Sequence, residues 1–308
     1  MQRNYREYLA LYVKGTLMGA ADAVPGVSGG TIAFIAGIYQ ELINSLSRLG
    51  PGALKILFKD GIKATWLYIN GNFLSVLLLG MLSSLIVLSN TVLYLLSHYP
   101  QILWGFFFGL ICASTYVLAR SIEKWNTLAV AGFIVGTLVS YFLTTQSSSV
   151  IDTPSLLSVF LSGMLAICAM ILPGISGSFI LLLLGMYSYV LSAVKNIELL
   201  ILTVFATGCV AGLLSFSRIL NYLFNSYRNL TMALLTGFLL GSLNKVWPWK
   251  QAITTRVDRH GNEVADLQHN VSPFVFESVT GLDSYFILSV IFAGFGLLLV
   301  VLLTRFSK

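Results

Sequence analysis

The sequence predicts an all-α polytopic membrane protein built from two inverted-topology repeats, each a broken re-entrant helical hairpin plus three transmembrane helices. Three observations predict it: an apolar composition, a proline-glycine-serine motif that occurs twice in the same setting, and a one-sided distribution of basic residues.

Of 308 residues, 56% are hydrophobic and 10% charged, with a mean hydropathy of +0.85; an ordinary soluble domain carries about a quarter charged residues. Apolar runs that approach or exceed the roughly 20 helical residues needed to cross a bilayer lie at 73–96, 102–119, 127–145, 199–216, 230–246 and 284–304. The opening "MQRNYREYLALYVKG" lacks an uninterrupted apolar core followed by a small-residue cleavage site, so no removable signal peptide is expected. Cys112, Cys168 and Cys209 fall inside apolar runs, odd in number and without ligand spacing, which points to helix packing rather than to disulfides or a metal. The net charge of +6 bears on membrane topology in such a chain, not on nucleic-acid binding.

The motif is "ADAVPGVSGGTIAFIAGIY" at 21–39, echoed by "AMILPGISGSFILLLLGMY" at 169–187. Between positions 15 and 39, ten residues recur at one fixed offset, among them Pro25/Pro173, Gly26/Gly174, Ser28/Ser176, Gly29/Gly177, Gly37/Gly185 and Tyr39/Tyr187. Shared apolar composition would not also align the proline, serine and glycines. Further on the offset changes, but Gly80, Ser89, Tyr94 and Tyr99 still find Gly208, Ser217, Tyr222 and Tyr227, and "GFFFGL" from Gly105 finds "GFLLGS" from Gly237. Residues 1–150 and 151–308 therefore read as two repeats of a single integral membrane domain.

The basic residues orient them. With a cytoplasmic N-terminus and a hairpin at each motif, Arg3, Arg6, Lys14, Arg48, Lys55, Lys59, Lys63, Arg120, Lys124, Arg218, Arg228, Arg305 and Lys308 fall on the inner side. Lys195, Lys245, Lys250, Arg256 and Arg259 fall outside, and thirteen against five satisfies the positive-inside rule. An odd number of spans separates the motifs, so the second repeat enters from the opposite face. Both termini are expected in the cytoplasm.

A break of this kind has a chemical use. Irregular backbone at membrane depth is tolerated only where protein or a water-filled cavity surrounds it. Proline resists continued helix and glycine lets the chain turn with its amides exposed. Each motif should end one half-helix and begin another near Ser28 or Ser176, with unpaired N–H groups and a partial positive charge. Two such ends entering from opposite faces converge on one site, as in inverted-repeat transporters, and helix N-termini favour anions. The candidate binding residues are Ser28, Gly29, Gly30 and Thr31 in the first motif and Ser176, Gly177 and Ser178 in the second. The plainer reading of one PGxSG motif is a packing kink; duplication in opposed orientation favours a site.

The two motifs, together with "LTGFLLGSLNKVWPWK", resemble the bacterial polyprenyl-phosphate transporter (PopT) family over nearly the whole chain. The resemblance implies a non-enzymatic transporter of the bacterial cytoplasmic membrane. It would flip undecaprenyl phosphate, the recycled carrier lipid of cell-wall (peptidoglycan) synthesis, from the outer to the cytoplasmic leaflet. A small anionic head suits converging half-helix ends, and a prenyl tail can stay in lipid.

Only the first motif brings carboxylates: Asp22 aligns with Met170, and Glu41 with Tyr189. A buried carboxylate beside a phosphate must be protonated, paired or occupied by a cation, so Asp22 and Glu41 are candidate sites for a coupling proton or Na+. A cap at the break is the plainer role for Asp22, and an interfacial position for Glu41. No other cofactor is called for. Arg218, in "LLSFSRILNYLF", is a candidate phosphate donor because guanidinium pairs bidentately with phosphate; the plainer reading is a snorkelling arginine. "ALKILFKDGIKATW" reads as a basic amphipathic stretch on the inner leaflet, and "KVWPWKQ" as an aromatic belt able to receive a phosphate. The polar loop 251–283, with "DRHGNEV" at its centre, is expected to turn as a hairpin. An ion-coupled carrier or channel for a small anion is the alternative. A lipid phosphatase is disfavoured, because His98, His260 and His269 all fall on the outer side, away from the motifs.

Overall fold

The computed structural model describes residues 3–22, 28–146, 154–257 and 263–306. Helices α1 (Tyr5–Asp22), α2 (Gly29–Ile35), α3 (Tyr39–Ser47), α4 (Pro51–Tyr68), α5 (Gly71–His98), α6 (Pro100–Arg120) and α7 (Thr127–Thr145) come first. They are followed by α8 (Leu156–Ile171), α9 (Gly177–Leu183), α10 (Tyr187–Lys195), α11 (Leu199–Ser226) and α12 (Arg228–Ser242). A hairpin of β1 (Lys250–Val257) and β2 (Glu263–Asn270), then α13 (Pro273–Thr280) and α14 (Phe286–Phe306), complete the chain. Among the described residues three helices, α6, α7 and α11, are long and apolar enough to cross a membrane as they stand, and five spans result if each of two bent helix pairs counts as one.

Helix lengths run in parallel through the chain. The short helices α2 and α9 have 7 residues each, α3 and α10 have 9 each, and the long helices α5 and α11 have 28 each. Helix α4 stands between α3 and α5 with no counterpart between α10 and α11; its insertion is what changes the offset between matching residues. Leu54, Phe58, Ile62 and Trp66 of α4 are uncovered by protein, Phe58 at 87% exposure, alongside Lys55, Lys59 and Lys63, the arrangement an interfacial helix needs. A break at Gly61, φ 82°, and a 55° bend into α5 set α4 off the axis of α5.

The halves are interleaved rather than set side by side. α1 packs along α5 and α8 along α11, within each half, but α7 packs along α12 and α14 along α6, across the halves. In lipid, helices associate through close van der Waals packing, which small residues four apart permit. Gly105 and Gly109 face the backbone of Ser289 and Ala293, and Gly237 and Gly241 face that of Phe133 and Thr137; a Cβ at Gly105 would lie 2.6 Å from the Ser289 carbonyl oxygen. The recurring "GFFFGL" and "GFLLGS" thus mark the two cross-half seams.

Two expectations need amending. The all-α class is interrupted by the antiparallel β1–β2 hairpin, which pairs Lys250 with Asn270 and Val257 with Glu263 where the polar loop was expected to turn; its tip, 258–262 with His260, lies outside the described residues. The span expected at 230–246 ends as a helix at Ser242. There the chain is drawn off the helix axis: the Trp247 indole N–H donates to the Val271 carbonyl at 2.9 Å and that of Trp249 to the Ser284 carbonyl at 2.8 Å.

Candidate functional site

The first break follows Asp22. Pro25 and Gly26 lie outside the described residues, and the chain is next defined at Ser28, whose extended backbone (φ −122°, ψ 134°) makes it the N-cap of α2. Its hydroxyl oxygen accepts from the Gly30 amide at 3.1 Å, the usual task of a serine there. The Gly29 amide donates to Asp22 Oδ1 at 2.6 Å. The amides of Gly29 and Gly30, expected to face a ligand, are therefore satisfied inside the motif. Among the described residues Asp22 Oδ2 is buried without a hydrogen-bond partner, and such an oxygen is costly if charged. α2 ends where Gly37 turns the chain at φ 71°, and Lys14 Nζ donates to the Ala36 carbonyl at 2.8 Å, placing a cation at the negative end of the short helix.

The second break begins at Leu172, and Gly174 turns at φ 88°. Ser176, extended at φ −100° and ψ 139°, starts α9 but caps no amide there; its hydroxyl lies 2.7 Å from that of Ser178. Gly185, at φ 68°, ends the segment as Gly37 does, and α9 and α10 meet at 112°.

The two breaks touch. The Ser28 hydroxyl donates to the Met170 carbonyl at 2.9 Å, and the Gly174 amide donates to Thr31 Oγ1 at 2.9 Å. A Cβ on Gly30 would lie 2.6 Å from the Ile171 carbonyl oxygen, so glycine there lets the start of α2 close onto the end of α8. The contact is one-sided: Thr31 aligns with Phe179, which offers no hydroxyl in return. Ser28 and Thr31 are each 1% exposed, whereas Gly177 and Ser178 are half-buried. Ser176 itself is buried, at 6% exposure.

The other two candidates stand apart from this junction. Arg218 is exposed on α11, and its Nη2 donates to the Leu49 carbonyl at 3.2 Å, holding the joint between α3 and α4. Glu41 accepts from Arg3 at 2.5 Å and from the Asn70 amide at 2.8 Å, which fastens the N-terminal segment to α3 and the start of α5. Sequence reasoning missed Lys14 as a helix cap and the α8 carbonyls as partners of Ser28. Both are backbone contacts across folded segments, which residue types do not announce.

The sequence model of a family described as undecaprenyl phosphate translocase-like matches residues 18–264. The chain is 46% identical over 301 residues to a polyprenyl-phosphate transporter of Vibrio cholerae serotype O1, covering 98% of this chain and 97% of that one. It is 35% identical over 253 residues to a polyprenyl-phosphate transporter of Staphylococcus aureus, covering 77% of this chain and 85% of that one. No solved structure matches the chain.

Proposed function

Because this chain belongs to the undecaprenyl phosphate translocase-like family, we propose that it flips undecaprenyl phosphate from the outer to the cytoplasmic leaflet of the bacterial cytoplasmic membrane, returning the carrier lipid to cell-envelope synthesis. The observation that carries the site of this reading is the junction of the two breaks, tied by Ser28 to Met170 and by Gly174 to Thr31. A phosphate head fits where two short helices begin, since irregular backbone at membrane depth supplies oriented dipoles without water. The head meets the second break first, at the half-buried Gly177 and Ser178 beside the buried Ser176, and reaches Ser28, Gly29, Gly30 and Thr31 when the two breaks part. The prenyl tail stays in lipid throughout. No bond is made or broken, so the chain needs no catalytic group.

Asp22 gives the cycle a coupling group. Its unpartnered Oδ2, beside the amide it caps, is a place for a proton or Na+ that offsets the repulsion between carboxylate and phosphate. Glu41, already bridged to Arg3 and Asn70, fits a fastening role better, and Arg218 fits a role in holding the α3–α4 joint.

Proteoliposomes containing only this protein test the reading through uptake of labelled undecaprenyl phosphate, with small anions as the competing cargo. A lost hydroxyl hydrogen bond to a charged group costs about 1.5–3 kcal/mol, so Ser28→Ala and Ser176→Ala should each weaken head-group binding roughly ten- to a hundredfold. Normal lipid binding in both variants would leave the breaks as packing kinks. Passage of small anions without lipid movement would favour an anion carrier.

The inverted arrangement has its own test. In a background where Cys112, Cys168 and Cys209 are replaced by alanine, cysteines at Gln146 and Lys63 should label from opposite sides of the membrane in intact cells. Labelling from one side removes the reason for pairing the motifs.

A further inference from the structure

A second basic site lies where the hairpin folds back over α12. A pocket of about 300 Å³ is lined by Tyr141 and Thr144 of α7, Asn244 and Lys245 of the segment after α12, Lys250 of β1 and Asn270 of β2, among others, and among the described residues none that lines it is acidic. Both lysines are half-buried. The Lys245 ammonium sits 4.6 Å above the ring of Phe179, and that of Lys250 sits 5.1 Å above the ring of Trp104 and donates to the Lys245 carbonyl. Among the described residues the one ion pair is Arg3–Glu41, so no described carboxylate partners either of these two neighbouring cations. Burial first, and the Lys245 charge second, push the Lys250 ammonium down to about 7.

Sheltered cations are stable only when paired or solvated, and this pair is held in place rather than free to swing outward. The Asn270 side-chain amide donates to the Asn244 carbonyl and to its Oδ1, at 3.0 and 2.8 Å. Asn244 Nδ2 donates to Thr144 at 3.3 Å, and Trp247 fastens the far side to Val271. The walls are thus assembled before any ligand arrives, which lowers the ordering cost of binding. Lys245 joins the pocket to the second break, since Phe179 under its ammonium follows Ser178 directly.

We propose that this pocket binds a phosphate-class oxyanion between Lys245 and Lys250 and delivers it to the second break beside Phe179. The inference rests on the transport reading only for the identity of the carrier, a phosphorylated lipid; free phosphate has the same recognition chemistry.

The test uses the purified full-length protein with two probes, inorganic phosphate by titration calorimetry and undecaprenyl phosphate by native mass spectrometry. Lys245→Gln and Lys250→Gln should each lower phosphate affinity at least about tenfold, because each removes a charge-assisted donor. Lys245→Arg and Lys250→Arg keep the charge and should stay within about threefold of wild type, which separates loss of charge from loss of fold. A parallel fall in lipid binding identifies the lipid head as the occupant; lost phosphate binding with lipid binding intact identifies free phosphate. Either result supports the pocket. Glutamine variants that bind both probes as wild type does, or a wild-type protein that binds neither, would overturn it. A lysine-dependent phosphate response in a protein that binds no undecaprenyl phosphate would sink the transport reading and leave the pocket standing.

Discussion

Valine in place of Gly30 should abolish transport of undecaprenyl phosphate in proteoliposomes. A Cβ there would lie 2.6 Å from the Ile171 carbonyl oxygen and 3.0 Å from that of Met170, and backbone atoms at a helix end cannot rotate aside. α2 must move off α8, which separates Ser28 from Met170 and Thr31 from the Gly174 amide. The proposed cycle returns through this closed contact, and a valine that holds α2 off α8 removes the state in which the second break alone receives the head group, so no transport above that of protein-free liposomes should remain. Overpacking of this kind costs about 1–3 kcal/mol, so monodisperse protein should still be recovered with a lowered Tm. Gly294 is the control: it lies in α14, and beyond its own helix backbone no described atom comes within 4 Å of where a Cβ would stand, so Gly294→Val should transport as wild type. Unimpaired transport by Gly30→Val would place the cargo elsewhere.

Asparagine in place of Asp22 should erase the dependence of transport on a proton or sodium gradient. The substitution keeps the oxygen that accepts from the Gly29 amide at 2.6 Å and replaces the unpartnered Oδ2 with a neutral donor of the same size. Cap and volume survive; the titratable or cation-binding oxygen does not. Transport should then proceed at one rate whether the gradient is imposed inward, outward or not at all, with the Tm close to that of wild type. If gradient dependence persists, Asp22 is only the cap of the Gly29 amide, and the coupling ion must be held by other groups.

These two residues occupy repeat-equivalent positions that differ in chemistry. Asp22 aligns with Met170 and Gly30 with Ser178, so the first break carries the charge and the tight backbone contact while the second carries an extra hydroxyl. Such asymmetry suits a cycle in which one break receives the head group and the other accompanies its release with a proton or ion.

The course of the backbone was legible because it is decided locally. Pro173, Gly174 and Ser176 break a helix and restart it, and Gly37 and Gly185 stop it at positive φ. The spacing of Gly105 and Gly109, and of Gly237 and Gly241, was visible as a repeat, and its meaning as a seam followed only from the partners it meets. What the tertiary structure decided is how each polar group is used. It set the Gly29 and Gly30 amides against Asp22 and Ser28, and it bound Arg218 to Leu49 and Glu41 to Arg3 and Asn70. It also gathered Lys245 and Lys250 around one pocket. The reason is physical: a helix break is a property of a few consecutive dihedral angles, whereas the partner of a hydroxyl, amide or ammonium is whichever group packing brings within about 3 Å, from segments more than a hundred residues away in the case of Ser28 and Thr31.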